Sequence, residues 1–139
     1  MRNSRRHQLG SAAVEGALVL TVFLITFIGI IDIGTVLFRV QGLTERARAG
    51  ARWGVVNPYD ATSISNVVIY GNAAGTGGAM FGLTTSLVSV SQVDLGDGLS
   101  TIRVRIDDYP VRFFTPLLAG SRTLPRIEVS LSTESLGAT

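Results

Sequence analysis

The chain has 139 residues, enough for one small domain and an anchor segment. It contains no cysteine and no lysine, so disulfide bonds and thiolate metal sites are excluded and all twelve basic side chains are arginine. Without residues 1–10 the net charge falls from +2 to −1, because nine arginines then face ten acidic residues, and this balance disfavours a nucleic-acid-binding function.

A short basic segment precedes a long uncharged one. Three arginines in residues 1–6 are followed by Gly10, by Glu15 five positions later and then by sixteen residues without a charge. A basic leader, a glycine and a carboxylate at this spacing are typical of a prepilin-type signal. We therefore predict a leader at residues 1–10, cut after Gly10 so that Ser11 becomes the new N-terminus.

The uncharged segment predicts a transmembrane helix over residues 11–32. The twenty residues 12–31 would span about 30 Å as a helix, which is the thickness of the hydrocarbon core of a bilayer. Four arginines follow the segment and argue for the opposite orientation: Arg39, Arg46, Arg48 and Arg52. The leader arginines lie closer to the helix, so we predict a cytoplasmic N-terminus and a single membrane span.

Glu15 is a carboxylate just inside an apolar helix, and such a group is costly enough in a membrane to indicate a function. It can mark the chain for processing. After cleavage it can also offset the new amino group of Ser11 on a neighbouring subunit and so set the axial register. A helix N-terminal carboxylate stabilised by the macrodipole is the simpler alternative. Nearby small residues would let helices approach closely in lipid: Ala12, Ala13, Gly16 and Ala17.

Helical periodicity continues beyond the membrane segment and predicts a stalk over residues 33–56, so that one helix of about 65 Å runs from near residue 12 to residue 56. The residues on one face of this stalk are Val36, Val40, Leu43, Ala47 and Gly54. The side chains on that face become small near Gly50 and Gly54, which would let a folded domain pack closely against the helix. Pro58 is the expected stop, because the residue before a proline is biased out of the helical region.

The remaining residues, 57–139, predict a small α+β domain. Asp60 is placed to cap a short helix that ends near Gly71, and a glycine-rich loop follows to Gly82. Alternation of apolar and polar residues then predicts three strands, at residues 87–93, 102–106 and 127–131.

The order of these strands follows from the segments between them. The turn signal in residues 94–98 makes the first two strands antiparallel neighbours, and residues 113–125 are expected to form a long loop. The expected fold class is therefore α+β and pilin-like. A long N-terminal transmembrane and stalk helix would pack on a small antiparallel sheet of about three strands, with one short helix.

Residues that would support catalysis or metal binding are missing from the processed chain. The only histidine is His7, in the leader, so a Ser-His-Asp triad and a histidine metal site are excluded after cleavage. The glycine-rich run at residues 71–78 lacks the Gly-Lys-Ser/Thr of a phosphate-binding loop. Two acidic pairs could hold calcium, although neither has EF-hand spacing: Asp94 with Asp97, and Asp107 with Asp108. We expect no enzyme activity, no cofactor, no metal and no small-molecule substrate.

A stretch of about 45 residues, from Gly10 to Trp53, resembles the TadE-like family, the minor pilin or pseudopilin-like proteins of tight-adherence (Tad, Flp-type) pilus systems. The resemblance rests on Gly10-Ser-Ala-Ala-Val-Glu15, Gly29-Ile-Ile-Asp32-Ile-Gly34, Gln41-Gly-Leu-Thr44 and Ala47-Arg-Ala-Gly50-Ala-Arg-Trp53. Weaker similarity is found in Val68-Ile-Tyr-Gly-Asn72 and Phe114-Thr-Pro-Leu117. Gly16 stands where major Flp pilins have an aromatic residue, so a major pilin is disfavoured.

The resemblance implies cleavage after Gly10 by a prepilin peptidase, with Glu15 at the fifth position of the processed chain. It also implies an anchor in the bacterial inner membrane, a periplasmic C-terminal domain, other pilins or pilus-assembly proteins as partners, and incorporation into an extracellular pilus as a further outcome. The alternative is an uncleaved membrane-anchored periplasmic binding or adhesin domain, for which Gly10 and Glu15 would be coincidental.

Overall fold

A computed structural model describes residues 4–96, 99–113 and 122–133, with side chains from residue 11 onward. The elements in chain order are helix α1 (Ser4–Val56), helix α2 (Ala61–Tyr70) and strands β1 (Val88–Gly96), β2 (Leu99–Ile106), β3 (Pro110–Val111), β4 (Arg122–Thr123) and β5 (Ile127–Thr133). The chain forms two compact units. The first contains α1 up to Val36, and the second contains α1 from Leu37 onward with α2 and all five strands. The α+β fold class is confirmed.

Helix α1 ends where the sequence predicts and begins earlier. At its C-terminal end, Asn57 donates both its backbone N–H and its side-chain amide to the Trp53 carbonyl, at 3.0 and 2.9 Å, and Pro58 follows. The helix was expected to begin near residue 12 but begins at Ser4. The leader contains arginine, glutamine and leucine, which favour helix, and its one interior glycine costs only about 1 kcal/mol.

Helix α2 has the expected boundaries, and each has a hydrogen-bonded cap. The Asp60 carboxylate accepts hydrogen bonds from the backbone N–H groups of Thr62 and Ser63 and from the Ser63 hydroxyl. The hydroxyl of Ser63, followed by the N–H of Thr62, holds the pKa of Asp60 below its ordinary value. Gly71 ends the helix in the left-handed region at φ 83°, and its N–H donates to the Val67 carbonyl.

The three main strands form one antiparallel sheet in the order β1-β2-β5. Val90, Val104 and Val129 lie in one row across it. The predicted hairpin between β1 and β2 is confirmed, with a register shift between Asp94 and Gly96, whereas Asp97 and Gly98 of its turn lie outside the described residues.

The prediction of one long loop over residues 113–125 was wrong in part. β4 lies within that range and pairs antiparallel with β3, so that Pro110 is opposite Thr123 and Val111 is opposite Arg122. The N–H of Leu124 also donates to the carbonyl of Tyr109 at 2.9 Å. Strands of two residues carry no readable side-chain period, so backbone pairing of this kind is invisible to a periodicity argument. Residues 114–121 lie outside the described residues.

The core of the second unit lies between the stalk part of α1, helix α2 and the central strand β2. The predicted stalk face is buried at Leu43, Ala47 and Gly54. Val68 of α2 lies against Gly50, and Ile64 of α2 and Ile102 of β2 lie against Gly54. The sheet therefore packs on the stalk helix, as the periodicities predict.

Glycine at position 50 is required by this close approach. A Cβ at Gly50 would collide with a methyl group of Val68 and lie 3.3 Å from the Ile64 carbonyl oxygen, which is fixed within α2. We predict that Gly50→Val lowers the stability of the second unit by about 1–3 kcal/mol, the usual cost of overpacking. Thermal unfolding in detergent checks it. Gly34→Val is the matched control, because the same change there meets no atom within 4 Å. An equal loss in both variants would contradict the packing argument.

Candidate processing and assembly site

The predicted processing residues lie on a continuous stretch of α1. The backbone is helical through Gly10, and Ser11 and Glu15 are both exposed. Residues four apart share one face of a helix, so the Ser11 and Glu15 side chains point to the same side. Among the side chains that the structure describes, no ion pair involves Glu15. Its carboxylate is therefore available to a group outside this part of the chain.

The small residues predicted to support helix approach are also exposed. Ala12, Ala13, Gly16 and Ala17 are all exposed, and a Cβ built at Gly16 meets no atom of the described residues within 4 Å. These four residues form an exposed small face on the described part of α1. Close packing of this face would need a second helix from another molecule.

The part of α1 that surrounds these residues has an apolar surface suited to lipid. One 18-residue window reaches a mean hydropathy of 2.4, with 6% of that window buried, so by length and composition α1 could cross a membrane. The hydroxyls of Thr21 and Thr26 donate hydrogen bonds to the backbone carbonyls of Ala17 and Val22, at 2.8 and 2.9 Å. These bonds satisfy the hydroxyl protons within the helix, as a lipid environment requires.

Asp32 is the residue that sequence reasoning left without a role. Its side chain is charged and only 1% exposed, although the residues directly before and after it are exposed. Asp32 takes part in a polar or electrostatic interaction, and its carbonyl accepts the hydroxyl proton of Thr35 at 2.8 Å. A carboxylate at the end of an apolar run was the available signal, because such a group is retained in a membrane setting only when it is covered.

The outer face of the sheet carries ion pairs. Glu128 on β5 lies between two arginines of β2, with its oxygens 3.1 Å from Nε of Arg103 and 2.9 Å from Nε of Arg105. Only the Arg105 contact has hydrogen-bond geometry, so Arg103 is held by charge attraction alone. All three side chains are about one-third exposed, and solvent keeps such pairs weak.

The two acidic pairs considered for calcium have other partners. Asp94 accepts the N–H of Gly96 at 2.9 Å, which is a turn interaction, and Asp107 pairs with Arg126. Asp97 lies outside the described residues. No cluster of three or more histidine, cysteine or acidic side chains suited to a metal occurs in the part of the chain that the structure describes.

The comparison with protein families matches the stretch that carries these features. The model for TadE, described as TadE-like protein, matches residues 10–52. Residues 10–52 are TadE-like. This match confirms the resemblance read from the sequence and covers Gly10, Glu15, the small face and the buried face of the stalk up to Ala51.

TadE-like proteins are a structural family associated with Tad pilus systems rather than a known enzyme family. No curated protein and no solved structure matched the chain.

Proposed function

We propose that this protein is a minor pilin or pseudopilin that takes part in the assembly of an adhesive Tad (Flp-type) pilus, after a prepilin peptidase removes residues 1–10. The observation that carries the proposal is the TadE-like match over residues 10–52, because it begins at the glycine of the predicted cleavage site. The exposed Ser11 and Glu15, one helical turn apart, supply the groups that the register role needs.

The proposal also assigns a location to each part of the chain. Helix α1 anchors the protein in the bacterial inner membrane through residues 11–32, with a cytoplasmic N-terminus. Residues 33–56 form the stalk, and residues 57–139 form a periplasmic domain. The exposed apolar surface of α1 supports the anchor, and the contacts of Gly50 and Gly54 with α2 support the stalk. Its partners are the membrane, the prepilin peptidase and other pilins or pilus-assembly proteins.

One feature of α1 favours the alternative, an uncleaved membrane-anchored binding or adhesin domain. The peptide bond after Gly10 lies inside a helix, whose backbone hydrogen bonds must open before a peptidase can reach the bond. Gly10 lowers that barrier, because glycine in a helix interior is about 1 kcal/mol less favourable than alanine.

Intact mass decides between the two proposals. The full chain is produced in a bacterial host with and without the prepilin peptidase, and the membrane-extracted protein is weighed by mass spectrometry. We expect the mass of residues 11–139 when the peptidase is present and the full mass when it is absent. A full mass in both hosts would contradict processing and favour the uncleaved anchor.

A further inference from the structure

An apolar patch lies on the second unit directly after the membrane-type run of α1. Leu37 and Phe38 are 57% and 65% exposed, and Ala79 and Gly82 are exposed in the loop that contacts this part of the helix. With Met80 and Phe81, both half-buried, these residues form what we call the loop patch: Leu37, Phe38 and Ala79–Gly82.

The loop of this patch is held in one conformation. The Phe81 ring meets the Phe38 ring edge to face, with centroids 5.7 Å apart. A Cβ at Gly42 would lie within 3 Å of both Phe81 and Met80, so the helix is open there to receive the loop. The Tyr109 hydroxyl donates to the Phe81 carbonyl at 2.7 Å.

Phe81 itself has φ 52°, in the left-handed region. A non-glycine residue there costs on the order of 1–3 kcal/mol and persists only when surrounding contacts determine it. Those contacts hold the loop against α1 without covering Phe38, most of which is exposed. The loop therefore extends an exposed apolar surface instead of closing it.

The charge pattern around the patch suits the boundary of a membrane. Residues 33–38 and 77–83 contain no charged residue, and the first basic residue after the run is Arg39. Arg46 lies behind the loop and donates from Nε to the sulfur of Met80 at 3.1 Å. Aromatic and apolar side chains followed by arginine are typical of the level at which acyl chains meet phosphate headgroups.

The length of the helix brings the patch close to that level. Phe38 is seven residues after Ile31, or about 10 Å along the helix axis. The headgroup region on one side of a bilayer is about 5–8 Å deep, so Phe38 lies about 2–5 Å outside it if the hydrocarbon core ends at Ile31. Insertion deeper by about one turn would bring Leu37 and Phe38 into the headgroup region, and insertion by about two turns would bring them to the edge of the acyl chains.

We propose that the loop patch is a second membrane contact, in which Ala79–Gly82 rests on the lipid surface beside Leu37 and Phe38. The bilayer is the occupant, rather than a second copy or another protein, because Leu37 and Phe38 follow the apolar run of the anchor closely in the sequence and residues 33–38 contain no charged residue. This inference rests on the proposed membrane anchor, and it extends the lipid contact of the protein from the first unit to the second.

Spin labels on single cysteines test the contact, because the natural chain has no cysteine to remove. Ala79→Cys and Leu37→Cys are labelled with a nitroxide in nanodiscs of phosphatidylethanolamine and phosphatidylglycerol. Collisions with oxygen, which concentrates in lipid, are compared with collisions with a water-soluble nickel chelate. Ala74→Cys is the matched control, since it is another exposed alanine of the glycine-rich segment, and Val56→Cys reports the exposed stalk.

We expect labels at positions 37 and 79 to favour oxygen and labels at positions 74 and 56 to favour the chelate. A label on Leu24→Cys, in the middle of the apolar run, tests the membrane anchor separately from the loop contact. If position 24 favours oxygen while 37 and 79 behave like 74, the span stands and the loop contact is overturned. If position 24 also favours the chelate, the membrane anchor fails and the loop contact fails with it. Chelate access at position 79 that is lost only when pilin partners are added would assign the patch to protein and overturn the lipid contact.

Discussion

A chain with Gly10 replaced by alanine is expected to keep its full mass in a host that contains the prepilin peptidase. Two physical effects act in the same direction. The methyl group adds volume at the residue that precedes the cleaved bond, where glycine leaves the backbone accessible. Alanine also raises the stability of the helix through this position by about 1 kcal/mol, and so opposes the local opening that cleavage needs. The processed fraction, measured by intact mass, should fall from nearly all of the protein to nearly none.

A matched control separates these effects from a general effect on the helix. Gly16→Ala makes the same chemical change six residues further along α1, at a site where an added Cβ meets no atom within 4 Å. It should be processed like the natural chain. Complete processing of Gly10→Ala would contradict the assignment of the cleavage site. Equal loss of processing in both variants would show that helix stability, rather than the identity of residue 10, decides the outcome.

The elements that the sequence predicted well are those in which one face of a periodic segment is buried. Leu43 and Ala47 recur at helical spacing because they face α2 and the sheet, and both are fully buried. Ile102, Val104 and Ile106 alternate with arginines because β2 is the central strand, with one face on the core. The caps of α2 were equally readable, since Asp60 and Gly71 are residue types that fit those two positions for local reasons.

Features that depend on distant contacts were not readable. Nothing beside Phe81 in the sequence indicates that the hydroxyl of Tyr109, 28 residues away, donates a hydrogen bond to the Phe81 carbonyl and so helps to hold the left-handed backbone of Phe81. The pairing of β3 with β4 has no side-chain period from which it could be predicted. The early start of α1 follows from weak helix propensities in residues 4–10, which the prediction of a leader there did not consider. The burial of Asp32 is not indicated by the residues directly before and after it, which are exposed.

The candidate site, too, could be predicted from the sequence only in part. The spacing of Gly10 and Glu15 could be read directly, because both lie on one regular helix whose geometry is known in advance. The role of Glu15 could not be decided. The structure leaves its carboxylate exposed, and removal of residues 1–10 would place it close to the new helix N-terminus, where the macrodipole alone favours a carboxylate. What distinguishes the alternatives is the response of processing and assembly to the loss of its charge.

Replacing Glu15 with alanine is expected to leave cleavage largely intact and to remove most pili. A carboxylate in a membrane helix costs about 2.5–3.5 kcal/mol at the bilayer centre and less toward the surface, so its retention requires a compensating partner. The amino group that cleavage creates on Ser11 of a neighbouring subunit is such a partner. Without the carboxylate this amino group has no counter-charge, and the axial register between helices is no longer fixed. Intact mass reports the first step, and counts of pili by electron microscopy report the second.

The charge rather than the shape of residue 15 should decide the result. Glu15→Gln keeps the volume and hydrogen-bonding capacity of the side chain but removes the charge, and we expect it to lose pili as alanine does. Val14→Ala truncates the adjacent exposed side chain without changing charge and should assemble normally. Normal piliation by Glu15→Ala would refute the register role and leave the helix-end alternative. Piliation by the glutamine variant alone would show that hydrogen bonding suffices, because the amide oxygen can accept a hydrogen bond from the amino group but cannot neutralise its charge.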